Sequence, residues 1–309
     1  MLRYASKATD SAMRPIRLSR GVTLIELVVA IVIVGIIGAV VVFFINPLRQ
    51  STDIALRAEL TDIADNALQR IGRDVKLALP NSVRIAAAGG SIFVEFLAVR
   101  TAGRYRADGG GAAAGTNCPD DDPALPVPGN DQLSFDLADT CFKSIGKLAE
   151  AVVPGSDQLV LSNYGFSDQN AYQTAGILNR ALITAFDTSE PERDRIQFAS
   201  TTFQRALHDS PGKRFFVVSG PVTYECDMAA GRILRHSGYA ITAAQPTAFA
   251  GGALIAEHVR SGNGCEFEYS AVGPQLGLLT LRITLQRALF GGANETVSLY
   301  HAVHVNNTP

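Results

Sequence analysis

From Leu27 to Ile45 the chain passes through nineteen residues without a charged or strongly polar side chain. A helix rises about 1.5 Å per residue, so this run nearly spans a ~30 Å hydrocarbon core and reads as a transmembrane helix with bounds 22–46. Arg14, Arg17 and Arg20 precede the run, whereas Asn46 and Pro47 follow it with only Arg49 nearby. Positive side chains stay on the cytoplasmic side, so the N-terminus is expected inside and the rest of the chain across the membrane. A cleaved secretory signal shares the basic start, but its apolar region is about 7–15 residues long and ends at a small-residue cleavage site. Ile45, Asn46 and Pro47 make a poor site of that kind. One carboxylate, Glu26, stands at the head of the run. A charge in lipid costs on the order of 2.5–3.5 kcal/mol at mid-bilayer and less near an interface, so a retained one marks function.

The stretch "RGVTLIELVVAIVIVGIIGAV" resembles the signal of type IV prepilins and type II secretion pseudopilins: a basic leader ending in glycine, then a residue, Thr, Leu, Ile, Glu, and an apolar helix. The resemblance implies a leader of residues 1–21, cut by a prepilin peptidase between Gly21 and Val22. Val22 becomes the N-terminus and carries N-methylation; it stands where the family has Phe. Glu26 becomes the fifth residue of the mature chain. In the family's assembly the carboxylate pairs with the methylated amine of a neighbouring subunit, a pair that matters in low dielectric because the alternative is two unpaired ions. A Glu that merely snorkels to the headgroups is the plainer reading. Met13 begins a short basic leader, "MRPIRLSRG", so translation starts at Met1 or Met13.

Beyond Pro47 the pattern becomes amphipathic. Leu60, Ile63, Ala64, Ala67, Leu68, Ile71, Val75 and Ala78 recur at three- and four-residue steps, with Glu59, Asp62, Asp65, Gln69, Arg73 and Lys76 opposite. This predicts a helix over 47–79 with one face to bury, closed by Pro80. Asp53 and Arg57 interrupt the stripe at i, i+4 and either pair with each other or face a neighbouring subunit. The remaining chain, 80–309, forms a β-rich globular domain. "SIFVEFLAV", "DQLVLSNYG", "RFFVVSGPVTYEC", "GRILRHSGYAI", "GCEFEYSAV", "LLTLRITLQRA" and "ETVSLYHAVHV" read as antiparallel strands between turn residues. The fold class is therefore α+β, a long N-terminal helix packed on an antiparallel sheet. "SDQNAYQTAGILNRALITAF" holds a possible short helix, and Arg104 to Asn130 is a long polar loop.

"LPNSVRI", "GRYRAD", "FFVVSGPVTYECD", "GYAITAAQPT" and "LYHAVHVNNTP" resemble, in order, the MshO-type minor pilins of the mannose-sensitive haemagglutinin pilus system. The general architecture is similar to the J-type pseudopilins of type II secretion. The partners this implies are other major and minor pilins, the prepilin peptidase and the inner-membrane assembly platform. The implied location is the inner membrane, with the C-terminal domain in the periplasm and the mature chain incorporated into a pilus or pseudopilus.

Four cysteines, Cys118, Cys141, Cys226 and Cys265, contain no C-x-x-C spacing. In an exported domain an even count suggests two bridges, for which three connectivities are open. Sequential pairing, Cys118 with Cys141 and Cys226 with Cys265, is the expectation. Without residues 1–21 the chain holds 22 Lys plus Arg against 28 Asp plus Glu, a balance that offers no dedicated nucleic-acid surface. No G-x-S-x-G, H-E-x-x-H or phosphate loop occurs, and the glycines at 109–111 lack a following Lys. His301 and His304 fall at odd spacing on one strand and point to opposite faces, while His208, His236 and His258 are isolated and read as surface residues. Asp120, Asp121, Asp122 and Asp131 carry the right oxygens for calcium, but a solvated acidic loop is the expectation. No catalytic residue, cofactor or metal site is expected. A membrane-anchored periplasmic enzyme or binding protein, whose helix is only an anchor, is the alternative from another class.

Overall fold

The computed structural model describes residues 21–107, 132–273, 275–289 and 292–309. It begins with one long helix, α1 (Leu24–Lys76). The fourteen strands that follow are β1 (Arg84–Ala88), β2 (Ser91–Arg104), β3 (Arg106–Ala107), β4 (Gln132–Leu133), β5 (Ala138–Lys143), β6 (Gln158–Leu161), β7 (Arg180–Asp187), β8 (Arg195–Thr202), β9 (Arg214–Asp227), β10 (Arg232–Ser237), β11 (Ala253–Glu257), β12 (Cys265–Gly273), β13 (Leu276–Ala288) and β14 (Asn294–Asn306). A one-turn helix, α2 (Arg205–His208), precedes β9. The architecture is α+β, an apolar N-terminal helix followed by antiparallel sheet. The chain divides into an N-terminal unit that ends at Thr52 and a second unit, Asp53–Pro309.

In the second unit the helical stripe is buried as its spacing demands. Leu60, Ala64, Ala67, Leu68, Ile71 and Val75 are buried, and Ile63 packs at the margin. Two sheets cover them. The larger runs β1-β2-β9-β6-β7-β8-β5, and the smaller is β12-β13-β14. Val94, Phe96, Val222, Tyr224 and Ile233 come from the first, and Phe267, Leu279, Leu281, Ile283, Val303 and Val305 from the second. The helix passes so close to β14 that a methyl on Gly72 would lie 2.9 Å from His301 Nε2. Polar contacts flank the buried stripe at both ends. Asp74 accepts hydrogen bonds from Tyr224 Oη (2.7 Å) and Arg235 Nε (2.9 Å), while Glu59 meets Arg287 at 2.9 Å. Arg57 pairs with Glu295 at 3.5 Å, so it faces β14 rather than Asp53.

Strand β9 organises the larger sheet. Its whole length pairs with β2 on one edge, while on the other its first half pairs with β6 and its second with β10. Gly220 (φ +129°) and Pro221 stand between the halves, next to a register shift at Ala98/Val99. Proline offers no ladder donor and glycine accepts the positive φ, so the strand bulges there and changes partner. Phe215 and Val217 then enter a second core with Tyr105, Phe142, Ile183, Ile196 and Phe198.

Four sequence expectations need correction. The amphipathic helix stops at Lys76, not 79, because the chain leaves it through a turn at Leu77 and bonds to β2: Leu79 N donates to Leu97 O (2.7 Å) and Val99 N to Leu77 O (2.9 Å). The stretch 167–186 holds only a 3-10 turn, Ser167–Gln169, and its "ALITAF" is strand β7. The expected polar loop at Arg104 to Asn130 begins as strand, since β2 runs to Arg104 and β3 follows; its remainder lies outside the described residues. His208 and His236 are buried rather than surface residues. Their ring nitrogens have partners: His208 Nδ1 accepts from Gln204 N (3.2 Å) and Nε2 meets Asp168 O (3.0 Å), while His236 bridges Gly251 O and Glu225 Oε2 and stacks on Phe249. The segment carrying Phe249 is further tied by Arg84, which donates to Thr242 O and Ala243 O, pairs with buried Glu95 at 2.9 Å and lies over the Tyr172 ring. Burial pushes the Glu95 carboxyl up, and the Arg84 guanidinium opposes that shift.

Ile71 is fully buried where the helix meets both sheets. Ile71→Ala is expected to lower unfolding free energy by about 2–5 kcal/mol, whereas exposed Leu77→Ala stays within about 0.5 kcal/mol of wild type, both read from urea denaturation.

Candidate functional site

Residues 21–27 bring the expected processing and assembly positions onto one turn. Helix α1 begins at Leu24, so Thr23 is its N-cap: the Glu26 N–H donates to Thr23 Oγ1 (3.3 Å) and the Leu27 N–H to Thr23 O (3.1 Å). The hydroxyl satisfies one of the donors that a helix start leaves open. Thr-Leu-Ile-Glu is the S/T-x-x-E spacing of a capping box, a signal legible in the sequence that the reading of Glu26 alone passes over. The carboxylate of Glu26 also sits in the first turn, where the helix dipole favours negative charge. No cation pairs with it among the described residues.

Gly21 has a different status. A side chain there would meet nothing within 4 Å among the described residues. No contact among them therefore requires glycine at this position. The helix beyond is apolar and uncovered: Leu24–Val41 is long and apolar enough to cross a membrane, and none of that window is buried. Val22, Glu26, Leu27, Ala30, Ile31 and Val34 line a shallow groove along it, so the carboxylate and the residue after Gly21 share one face. An all-round apolar helix with no protein packed on it needs another cover.

The second unit offers less chemistry. A disulfide joins Cys226 on β9 to Cys265 on β12, the strands of two different sheets. Cys141 is also disulfide-bonded, and Cys118, its expected partner, lies outside the described residues. The acidic positions Asp120, Asp121, Asp122 and Asp131 lie outside them too. Among the described residues no group of three or more His, Cys, Asp and Glu is placed to hold a metal. Two adjoining hollows share Arg106 and Ile145. Ser144 in the first is engaged in its own turn, donating to Gly146 O and accepting from Asp194 N, and Lys213 in the second pairs with Asp209.

Residues 16–42 match the family model described as the prokaryotic N-terminal methylation motif. No curated protein and no solved structure matches the chain. The chain carries the motif of type IV prepilin-like proteins. That motif supports the pilin and pseudopilin superfamily, whose members are structural subunits, and with the uncovered apolar helix it fits a single-pass membrane-anchored protein. It further implies interaction with other pilins, the prepilin peptidase and the membrane assembly machinery.

The cap has a measurable share in this geometry. Thr23→Ala should lower amide-exchange protection at Glu26 in detergent-solubilised protein about fivefold, corresponding to the ~1 kcal/mol typical of a lost N-cap. Unchanged protection would show that the hydroxyl does not hold the first turn.

Proposed function

We propose that the protein is a minor pilin, a priming or tip subunit of a type IV pilus of the mannose-sensitive haemagglutinin type, resembling the MshO-type subunits. One observation carries this reading: a carboxylate five residues after Gly21, set in the capped first turn of an apolar helix that no protein covers, with no cation beside it among the described residues. Residues 1–21 are the leader. The prepilin peptidase cuts between Gly21 and Val22 on the cytoplasmic side, Val22 is N-methylated, and the C-terminal domain lies in the periplasm. The chain's role is structural rather than enzymatic.

Physical chemistry explains the role of Glu26 in such a subunit. The amine freed at residue 22 keeps its positive charge after methylation, and the Glu26 carboxylate of a neighbouring subunit supplies the opposite one. Apart, each is an unpaired ion at the edge of lipid; together they neutralise each other and set the axial register of adjacent helices. The groove beside Glu26 leaves the apolar face free for a second helix.

Two substitutions test the reading. Gly21→Leu should leave an uncleaved precursor, because a peptidase must approach the backbone closely at a residue whose side chain the fold itself would tolerate. Intact mass of membrane-extracted protein decides it, and mature mass in this variant overturns the cleavage assignment. Glu26→Val should insert and be cleaved normally, since losing the charge improves the membrane helix, yet crosslink poorly to other pilins near the cytoplasmic end of the span. Equal crosslinking would leave Glu26 without a docking role.

A further inference from the structure

Strand β14 ends the smaller sheet, and one of its long edges has no strand beside it among the described residues. Its hydrogen-bond parity can be read from both ends. Asn307 N donates to Gln275 O (2.9 Å) past one end, and Leu289 N donates to Ala293 O (2.7 Å) past the other. The register with β13 runs from Leu276↔Asn306 to Ala288↔Asn294 without a shift. The odd-numbered residues therefore bond to β13, and Thr296, Ser298, Tyr300, Ala302, His304 and Asn306 direct their N–H and C=O groups to the open edge. The side chains of these same six residues are exposed, and none is a carboxylate, lysine, arginine or proline.

Proteins usually guard such an edge by shortness, bulges, lysine or proline. The other edges of these sheets follow that rule. Strands β1 and β11 have five residues each, and β5 has six; β5, β11 and β12 each carry a register shift against their neighbour. Strand β14 has thirteen residues, a span of about 44 Å at 3.4 Å per residue, and no shift. The geometry points to this edge as the docking site for an extended strand from a neighbouring, different subunit anchored in the same membrane. Backbone groups repeating every second residue are matched by another extended backbone, and the outer face carries no carboxylate, lysine or arginine to guard against it.

A second copy of the chain fits the edge poorly. Arg57 lies by Glu295, and Gly72 by His301 and Val303, so the amphipathic part of α1 and β14 run in the same direction. Antiparallel pairing of two β14 strands would turn one copy end over end and put the two Asp53 ends on opposite sides, which two chains leaving one membrane cannot do. Parallel pairing of identical strands needs a one-residue stagger, and a two-fold axis supplies none. The partner's being pilin-like rests on the function proposed above; the edge itself does not.

The test uses the full-length protein in the membranes of the bacterium that makes it, with photoreactive benzoylphenylalanine replacing exposed Tyr300. The expected result is an adduct with a different membrane-anchored protein, identified by mass spectrometry. Ala302→Pro should abolish it: residue 302 donates outward, so proline removes an edge donor without breaking the β13 ladder. Ser298→Lys, which adds a guard and removes no backbone donor, should abolish it as well. In both variants the Cys226–Cys265 bridge should persist. No adduct, an adduct undiminished in both variants, or an adduct only between copies of this chain overturns the proposal. Adduct formation on a protein that is not pilin-like, with Gly21 left uncleaved in the wild type, would remove the proposed function and leave the edge site standing.

Discussion

The second unit depends on one packing arrangement: a helical stripe from Leu60 to Val75 that two separate sheets cover at once. Neither sheet closes on itself. The smaller has three strands and the larger is open at several edges, so each requires the helix to bury its inner face. Asp74 fastens the helix to β9 and β10 of the larger sheet, while Glu59 and Arg57 reach β13 and β14 of the smaller. The disulfide between Cys226 and Cys265 joins the sheets directly, beside Ile233 and Phe267 in the same core. Sliding the smaller sheet along the helix would break the Glu59 and Arg57 contacts and shift β14 past Gly72, where a Cβ would lie 2.9 Å from the His301 ring.

Much of this was legible because burial follows periodicity. The helical stripe, and the alternation in "GCEFEYSAV", "LLTLRITLQRA" and "ETVSLYHAVHV", are local records of which face meets the core. Strand β7 was not, since it exposes Leu182 and buries Ala181, the reverse of what hydrophobicity suggests for that pair. Strands β1, β5, β8 and β11 are short or carry Ala, Thr and Gln in place of large apolar side chains. The helix end was misread for a tertiary reason: "KLAL" favours helix locally, but Leu77 and Leu79 gain ladder bonds to β2. His208 and His236 looked isolated because the groups that hold them, Asp168 and Gly251 among them, are distant in sequence. At the candidate site the order Gly21, Val22, Thr23, Glu26 is local to the sequence, and the structure adds the Thr23 cap.

Capping by Thr23 bears on how Glu26 can act. A flexible helix start would let the carboxylate follow any partner, and fraying of the first turn would add an entropy cost to each encounter. With Thr23 holding the Glu26 amide, the carboxylate leaves a turn of fixed geometry, and its distance along the helix from residue 22 is set before a neighbour arrives. The dipole of the same helix start favours negative charge at this position. A carboxylate beside lipid gains most from a cation placed against it, and a neighbouring subunit can supply one.

The two surfaces singled out share a physical logic. Many polar groups in the second unit's interior find partners within the chain, as in the bond from Arg84 to Thr242 O or the two partners of each buried histidine. Two surface features also lack partners among the described residues, the apolar helical segment Leu24–Val41 and the outer edge of β14. Neither feature lowers the free energy of the monomer, and each makes an isolated chain prone to association. For a subunit that completes its bonding inside an assembly, they are the surfaces on which its neighbours act.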